Sequence, residues 1–316
     1  MTSPTSIAPA PPALPNRSTA PRYRVGVRSG TIASFLLPFF VPFLLFYVAP
    51  VVYALVESFQ KIERSGGQFG TVSTVFGGVT QYAAVLSDSE FWASLGRVGL
   101  FGVVQVPVML FLSLLIALLL DSRLVSFPSF FRLTAFLPYA VPGLIAAIMW
   151  SFLYHPQLSP VVQILSDIGI SVDFLDQSSV LWSIANISTW LWTGYNMLII
   201  YSALQAIPQE LYEAARLDGA GNLAIALRIK LPIVFPSIVL TTIFSIIGTL
   251  QLYAEPSVLA QVAPSVSTTY TPNMMTYGIA SGGNYQQAAA MSVVIAIATF
   301  ILSFGFMKIT SRRSDA

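Results

Sequence analysis

Six stretches of the chain are apolar over the roughly twenty residues that a helix needs to cross hydrocarbon. They are Thr31 to Phe59, Val98 to Leu120, Leu133 to Leu153, Leu181 to Ala206, Ile233 to Tyr253 and Ala288 to Phe306. Polar segments with turn and breaker residues separate them, among them Ser65-Gly66-Gly67, Gly77-Gly78, Asp121-Ser122-Arg123 and Ser281-Gly282-Gly283. The pattern predicts an all-α polytopic membrane protein with six transmembrane helices. Pro138 and Pro142 fall in the third stretch, Pro232 and Pro236 around the start of the fifth. Proline within a span is tolerated where neighbouring helices satisfy the freed backbone groups, so both helices are expected to be kinked and to face the interior of the bundle.

Composition removes the soluble alternative, because 55% of residues are apolar and only 9% charged, against roughly one quarter charged in a soluble domain. A net charge of +2 is too small to point to nucleic acid. With no cysteine and a single histidine, His155, the chain can build neither a disulfide framework nor a thiolate or His-rich metal cluster. His155, followed by Pro156 after the third span, reads as a loop residue.

The distribution of charge orients the chain. Arg17, Arg22, Arg24 and Arg28 precede the first span, Arg123 and Arg132 join the second to the third, Arg216, Arg228 and Lys230 join the fourth to the fifth, and Lys308, Arg312 and Arg313 follow the sixth. These are twelve of the fifteen basic residues; Lys61, Arg64 and Arg97 lie opposite, with Asp88, Glu90, Asp167, Asp173, Asp176 and Glu255. Positive residues stay on the cytoplasmic side, so both termini are expected there, in agreement with an even span count. Residues 1–29, studded with Pro4, Pro9, Pro11, Pro12, Pro15 and Pro21, read as a disordered cytoplasmic tail. The apolar run behind it is too long for a signal peptide and lacks a small-x-small cleavage site, so it is expected to be a retained first span. Residues 30–310 then form the six-helix transmembrane domain and 311–316 a short cytoplasmic tail.

The loop at 207–232 is the most informative segment: Ala206-Ile-Pro-Gln-Glu-Leu-Tyr-Glu-Ala-Ala-Arg-Leu-Asp-Gly-Ala-Gly-Asn-Leu-Ala-Ile-Ala-Leu-Arg-Ile-Lys-Leu-Pro232. Pro208 suits a first helical turn, where its missing N–H is not needed, and Glu210 and Glu213 fall in the early turns that favour anions. Asp218-Gly219 interrupts, with Gly219 able to take a left-handed cap, and helix restarts after Ala220 towards Leu231-Pro232. Glu213 and Arg216 share a face, while Ala214 and Ala215 allow close approach of another surface. Such a knob fits a groove in a partner, although a helix lying on the membrane surface would carry the same features.

Glu213-Ala214-Ala215, then Gly219, then Ile229-x-Leu231-Pro232 resembles the EAA loop of ABC importer permeases. Three further segments are similar to the sugar permeases of the maltose and glycerol-phosphate type, in the same order. They are Val75-Phe-Gly-Gly-Val-Thr-Gln-Tyr82 with Phe91-Trp92, Phe136-Leu-Pro-Tyr-Ala-Val-Pro142 with Trp150, and Ile207-Pro-Gln-Glu-Leu-Tyr212. The resemblance covers nearly the whole chain from Thr31 and favours the MalF-like, UgpA-like subunit over its MalG-like partner, without the large periplasmic insertion of the maltose permease. It implies the type I ABC importer permease fold in a bacterial inner membrane. It also implies that Glu213, Ala214, Ala215, Asp218, Gly219, Ile229, Leu231 and Pro232 couple to a cytoplasmic ATPase. Where the family often has an aromatic residue in the second loop helix, this chain has Ala226 and Leu227.

The same resemblance implies the partners: a second, MalG-like permease, two cytoplasmic ABC ATPases, an extracytoplasmic solute-binding protein and membrane lipid, with no nucleic acid. This chain has no Gly-rich Lys-Ser/Thr phosphate loop, so it binds no cofactor, and ATP and Mg belong to the partner ATPase. The implied function is import of a carbohydrate, either a di- or oligosaccharide or glycerol phosphate.

Sugars are held by aromatic faces and by hydrogen-bonding side chains, and polar groups within spans face a cavity or another helix. The intramembrane candidates are Asn186, Ser188, Trp190, Trp192, Tyr195 and Asn196 on the fourth span, and Ser245, Thr249, Gln251 and Tyr253 on the fifth. Trp192, Tyr195, Asn196, Ser245, Thr249 and Gln251 form the substrate-path set, with Tyr195 and Gln251 foremost; each also fits interhelical bonding or an interfacial belt. An ion-coupled secondary transporter is the competing class, but such proteins place ionisable residues at mid-span. Here Glu57 and Glu255 lie near span ends. No Ser/His/Asp or HExxH arrangement supports an enzyme.

Overall fold

In the first apolar stretch, helix α1 (Ser29–Phe43) passes through a π-helical segment (Leu44–Val48) into α2 (Ala49–Glu57). The computed structural model describes residues 29–65, 71–122 and 125–314, and divides the chain into two units, Met1–Val51 and Val52–Ala316. The tail expected at residues 1–29 lies outside the described residues, except for Ser29 at the start of α1. The first unit is an apolar rod: Phe39, Phe43 and Tyr47 stack along one side, and Phe35 and Phe46 are exposed in the way that suits a lipid surface. Its π-helical segment ends two residues before Pro50, whose ring would otherwise crowd the carbonyl four residues earlier.

The second unit begins where the sequence predicts only a loop. Strands β1 (Gln60–Ser65) and β2 (Thr71–Phe76) pair antiparallel, Gln60 opposite Phe76, and an ion pair of 2.6 Å joins Lys61 to Glu63 on β1. The hairpin was hard to see because β1 carries only one apolar residue, Ile62, and so shows no clear alternation. Gly66 and Gly67 of the expected turn lie outside the described residues. Helix α3 (Thr80–Ser87) leads to α4 (Ser89–Leu120), which starts well before Val98 because Asp88 caps it, accepting from the Glu90 N–H at 2.9 Å.

The expected third span is not one kinked helix but two helices set at 94°. Helix α5 (Pro128–Phe136) runs into a short 3-10 turn (Leu137–Ala140), Val141 is extended, and α6 (Gly143–Tyr154) follows. Pro138 and Pro142 remove two donors within five residues, and a residue before proline is driven out of the helical region, which is where Val141 sits. Helix α7 (Pro160–Asp167) and a loop braced by Asp173 and Asp176 then lead into α8 (Val180–Gln205). The loop acids are exposed, and hydrogen bonds from Ser178 hold the Asp176 carboxyl below its usual range.

After α8 come α9 (Gln209–Leu217), α10 (Asn222–Ile225), a second π-helical segment (Ala226–Lys230) and α11 (Leu231–Leu250). This π segment also ends two residues before a proline, Pro232. Helices α12 (Ala254–Leu259) and α13 (Pro272–Ser281) precede the last, α14 (Tyr285–Ser314), which continues past the expected end at Phe306. Asp315 and Ala316 lie outside the described residues.

Among the described residues four helices are long and apolar enough to cross a bilayer, Ile32–Glu57, Ser89–Leu120, Asn222–Leu259 and Tyr285–Thr310; the bent α5–α6 pair makes a fifth. Helix α8 has 26 residues, about 39 Å at the helical rise, but a more polar composition. Ser183, Ser188 and Asn196 are buried along it, and the Ser113 hydroxyl of α4 donates to the Thr193 carbonyl at 2.9 Å. A helix enclosed by other helices can carry such groups, which a helix facing lipid could not.

Candidate functional site

Two regions hold the residues that the sequence singles out. The first is a cavity of about 640 Å³ between α4, the bent α5–α6 segment, α8, α11 and the start of α12. Its walls include all six substrate-path candidates, Trp192, Tyr195, Asn196, Ser245, Thr249 and Gln251, together with Ser188 and Tyr253. Gln251 also borders a second, more apolar cavity of about 500 Å³ between α11 and α14. Asn186 and Trp190 point elsewhere: the Asn186 amide donates to the Tyr154 hydroxyl at 2.8 Å, and Trp190 packs edge-on against Trp150.

The cavity's aromatic wall depends on the broken third span. Tyr139, in the turn between the two prolines, stacks on Tyr195 with centroids 4.8 Å apart and planes at 22°. Trp192 stands edge-on to both. The close approach of α8 to the end of α5, just before this turn, requires Gly194, because a Cβ there would lie 2.0 Å from the Ala135 carbonyl oxygen. Asn196 donates to the Trp192 carbonyl at 3.0 Å and reaches Met109 Sδ at 3.6 Å, so it is a tied wall residue despite facing the cavity. Gln105 of α4 reaches Thr189 Oγ1 at 3.4 Å beside it. Ser188 is 5% exposed, and among the described residues its hydroxyl has no partner.

Sequence reasoning missed Tyr139, Gln105 and Glu255 on this wall. Tyr139 had a signal, since it lies between two prolines that no straight span would carry. Glu255 was assigned to a span end, and it is buried there, 7% exposed. His155 is the loop residue expected, its Nδ1 accepting from the Gln157 N–H at 3.2 Å.

The second region is the knob formed by α9 and α10. Gly219 has φ +81°, the left-handed region that glycine enters freely. Ala220 N–H bonds the Ala215 carbonyl at 2.9 Å and Gly219 N–H that of Arg216 at 3.0 Å, which together close α9 as a Schellman cap. Glu213, Ala214, Arg216, Asp218 and Gly219 are exposed, and so are the apolar Leu211, Leu223 and Leu227; Leu217 is 89% exposed. Ala215 and Ile229 face inward, against a buried cluster that includes Leu120, Leu204, Tyr212, Ile225 and Val234. Leu231 and Pro232 open α11.

Charge fixes the base of the knob. Lys230 Nζ lies 2.5 Å from Asp121 Oδ2, and Gln205 donates to Oδ1 of the same carboxylate at 2.7 Å. The Lys230 ammonium also lies 5.0 Å from the centre of the Tyr212 ring. Burial, and secondly the charge of Asp121, push the Tyr212 hydroxyl up to about 12, so it stays protonated at any physiological pH.

Comparison with known proteins gives the class of a chain that carries such a knob and such a cavity. Residues 103–315 match the family model described as binding-protein-dependent transport system inner membrane component. The chain belongs to this family. The lactose transport system permease protein LacF of Rhizobium radiobacter is 32% identical over 72% of this chain and 79% of its own. The sn-glycerol-3-phosphate transport system permease protein UgpA of Agrobacterium fabrum is 29% identical, over 82% and 87% respectively. The fold matches that of a bacterial ABC transporter involved in the import of the acidic polysaccharide alginate, with TM-score 0.76 and 19% identity over 90% of this chain and 96% of that one. The protein is thus a multi-pass inner-membrane permease with the fold of ABC importer permeases, a transport component and not an enzyme.

Proposed function

We propose that this permease forms one half of the translocation path of an ATP-driven importer of carbohydrate, with the knob as its contact to the ATPase. A MalG-like permease supplies the other half, two ABC ATPases that bind ATP and Mg lie beneath, and a solute-binding protein delivers the sugar from outside. In this reading α8 is the fourth of six spans and both termini are cytoplasmic. Names among the relatives, for lactose and for sn-glycerol-3-phosphate, support the solute class.

The observation that carries the proposal is the exposure of Leu217, Leu223 and Leu227 around Glu213 and Ala214 on a knob whose base is buried and ion-paired. Exposed apolar side chains on a rigid polar-rimmed element suit helix-in-groove docking. Closure of the ATPases would draw two such knobs together and turn the cavity from the inner to the outer side by rigid-body motion. Trp192, Tyr195, Asn196, Ser245, Thr249 and Gln251 would then meet the solute.

Purification of the chain from its native membrane in mild detergent, with mass spectrometry of the proteins retained, tests this directly. A second permease and an ATPase are expected, and Glu213→Ala or Gly219→Pro should release the ATPase without preventing membrane insertion. Recovery of the chain without any ATPase, or full retention of the ATPase by both variants, would remove the coupling role.

A further inference from the structure

Gln105 sits near the middle of α4, with Phe101 one turn before it and Met109 one turn after, and all three line the cavity. A glutamine at mid-span is costly unless its amide is satisfied, and the bonds that this one makes are long. Its Nε2 donates to Met109 Sδ and to Thr189 Oγ1, both at 3.4 Å. Two turns further on, Ser113 ties α4 to α8 more closely, at 2.9 Å. Asn196 of α8 turns its amide in the same manner: Nδ2 donates to the Trp192 carbonyl at 3.0 Å and to the same Met109 sulfur at 3.6 Å. A thioether and a backbone carbonyl only accept, so the nitrogen of each amide faces them and the oxygen faces away. Both residues are more than nine-tenths buried. Among the described residues Gln105 Oε1 and Asn196 Oδ1 have no partner, yet neither is sealed inside protein, so the surface they keep opens on the cavity that both residues line.

We propose that Gln105 and Asn196 form a paired acceptor that selects the solute by the placement of its hydroxyls, with Met109 as the residue that positions both amides. The inference rests on the reading of this cavity as part of the translocation path, and it adds α4 to solute contacts that the sequence placed on α8 and α11. Each amide spends both protons of its nitrogen on the protein and keeps its oxygen for what enters, so the pair accepts hydroxyl protons and offers none in return. Two acceptors held on one sulfur demand two donors at a matching separation. Two hydroxyls of one sugar supply them, while Tyr139, Tyr195 and Trp192 offer faces to the ring. A solute that lacks one of those hydroxyls leaves a buried acceptor unpaired, the situation in which a site discriminates most strongly.

The chain has no cysteine, so Ser245→Cys gives it a single thiol, on the α11 side of the cavity. In the detergent-purified complex, modification of that thiol by a neutral methanethiosulfonate is read as a mass shift of this chain, with lactose, maltose, trehalose and sn-glycerol 3-phosphate as protecting solutes. At least one of them should protect position 245. For that solute Gln105→Met, which keeps the length of the side chain without its acceptor, should raise the half-protecting concentration about tenfold. Met109→Leu, which removes only the shared sulfur, should raise it about threefold. Among singly deoxygenated forms of the same solute, one should protect about tenfold more weakly in the parent and lose nothing further in Gln105→Met, because both changes remove the same bond. Asn196→Leu gives the same reading for the second acceptor against a different deoxygenated form, so failure of one variant to assemble does not close the test. A merely structural role for Gln105 would weaken protection by the solute and by every deoxygenated form alike. That result, or a half-protecting concentration unchanged by Gln105→Met, would overturn the paired acceptor while leaving the path reading intact. Failure of every one of these solutes to protect position 245 would instead overturn the path reading, and with it this proposal.

Discussion

The knob closes its own turn with bonds from Ala220 to Ala215 and from Gly219 to Arg216, whereas the cavity takes Tyr139, Tyr195 and Glu255 from three elements spread over more than a hundred residues. The knob presents apolar side chains outward on a base that is locked; the cavity keeps polar groups inward on walls that are bent. A local motif can be moved as a rigid piece, while an assembled wall changes shape whenever one of its helices shifts. The two regions therefore suit different tasks, contact with a partner and alternating exposure of a solute.

Four single substitutions, the first paired with a double variant, test that contrast in descending order of expected effect. Lys230→Met leaves the Asp121 carboxylate buried without its cation and should destabilise the loop base by about 3 to 5 kcal/mol, read as a fall in thermal stability in detergent. Asp121→Asn combined with Lys230→Met should recover most of the loss, and an equal loss in the double variant would show that the pair is not the lock. Gly194→Ala drives a methyl group into the Ala135 carbonyl and should cost about 1 to 3 kcal/mol. Its effect should concentrate on the cavity: protease sensitivity should rise near 135–142 and stay unchanged at 209–217, and uniform sensitivity would blur the distinction between the regions.

Gly219→Ala puts a side chain at φ +81° and should cost about 1 kcal/mol, with loss of ATPase retention and unchanged thiol labelling of a Ser245→Cys variant on the cavity wall. Cavity labelling that changed with it would mean that the knob is not a separate piece. Tyr195→Ala removes a stacked pair worth about 0.5 to 1.5 kcal/mol, so sugar-dependent uptake should weaken by roughly tenfold or less while assembly stays normal. Unchanged uptake kinetics would take Tyr195 out of the solute's path.

The same contrast explains what was legible in the sequence. The capped turn at Gly219 and the small residues Ala214 and Ala215 lie within a few positions of one another, so their geometry follows from short-range rules. The aromatic and amide residues of α8 and α11 were identifiable by type, but Tyr139 joined them only because two prolines fold the third apolar stretch back on itself at 94°. Hydropathy measures how apolar a segment is and is blind to such a fold. It did pick out α8, although that helix meets protein on most sides and carries buried polar groups. The β1–β2 hairpin escaped notice because the strands are held by backbone pairing and carry little apolar alternation. Glu255 read only as an acid near a span end because position along the chain says nothing about which wall a helix end closes.

The run from α10 through the π segment into α11 is helical without a gap, so Asn222 and Ser245 lie on one rod about 35 Å apart at the helical rise. Such a rod is a lever with its fulcrum at the Asp121–Lys230 pair, close to the knob. The short arm carries the knob and the long arm carries Ser245 and Thr249. A tilt of only about ten degrees, applied at the short arm, would sweep the far end by several ångströms, enough to widen or narrow a cavity the size of a sugar.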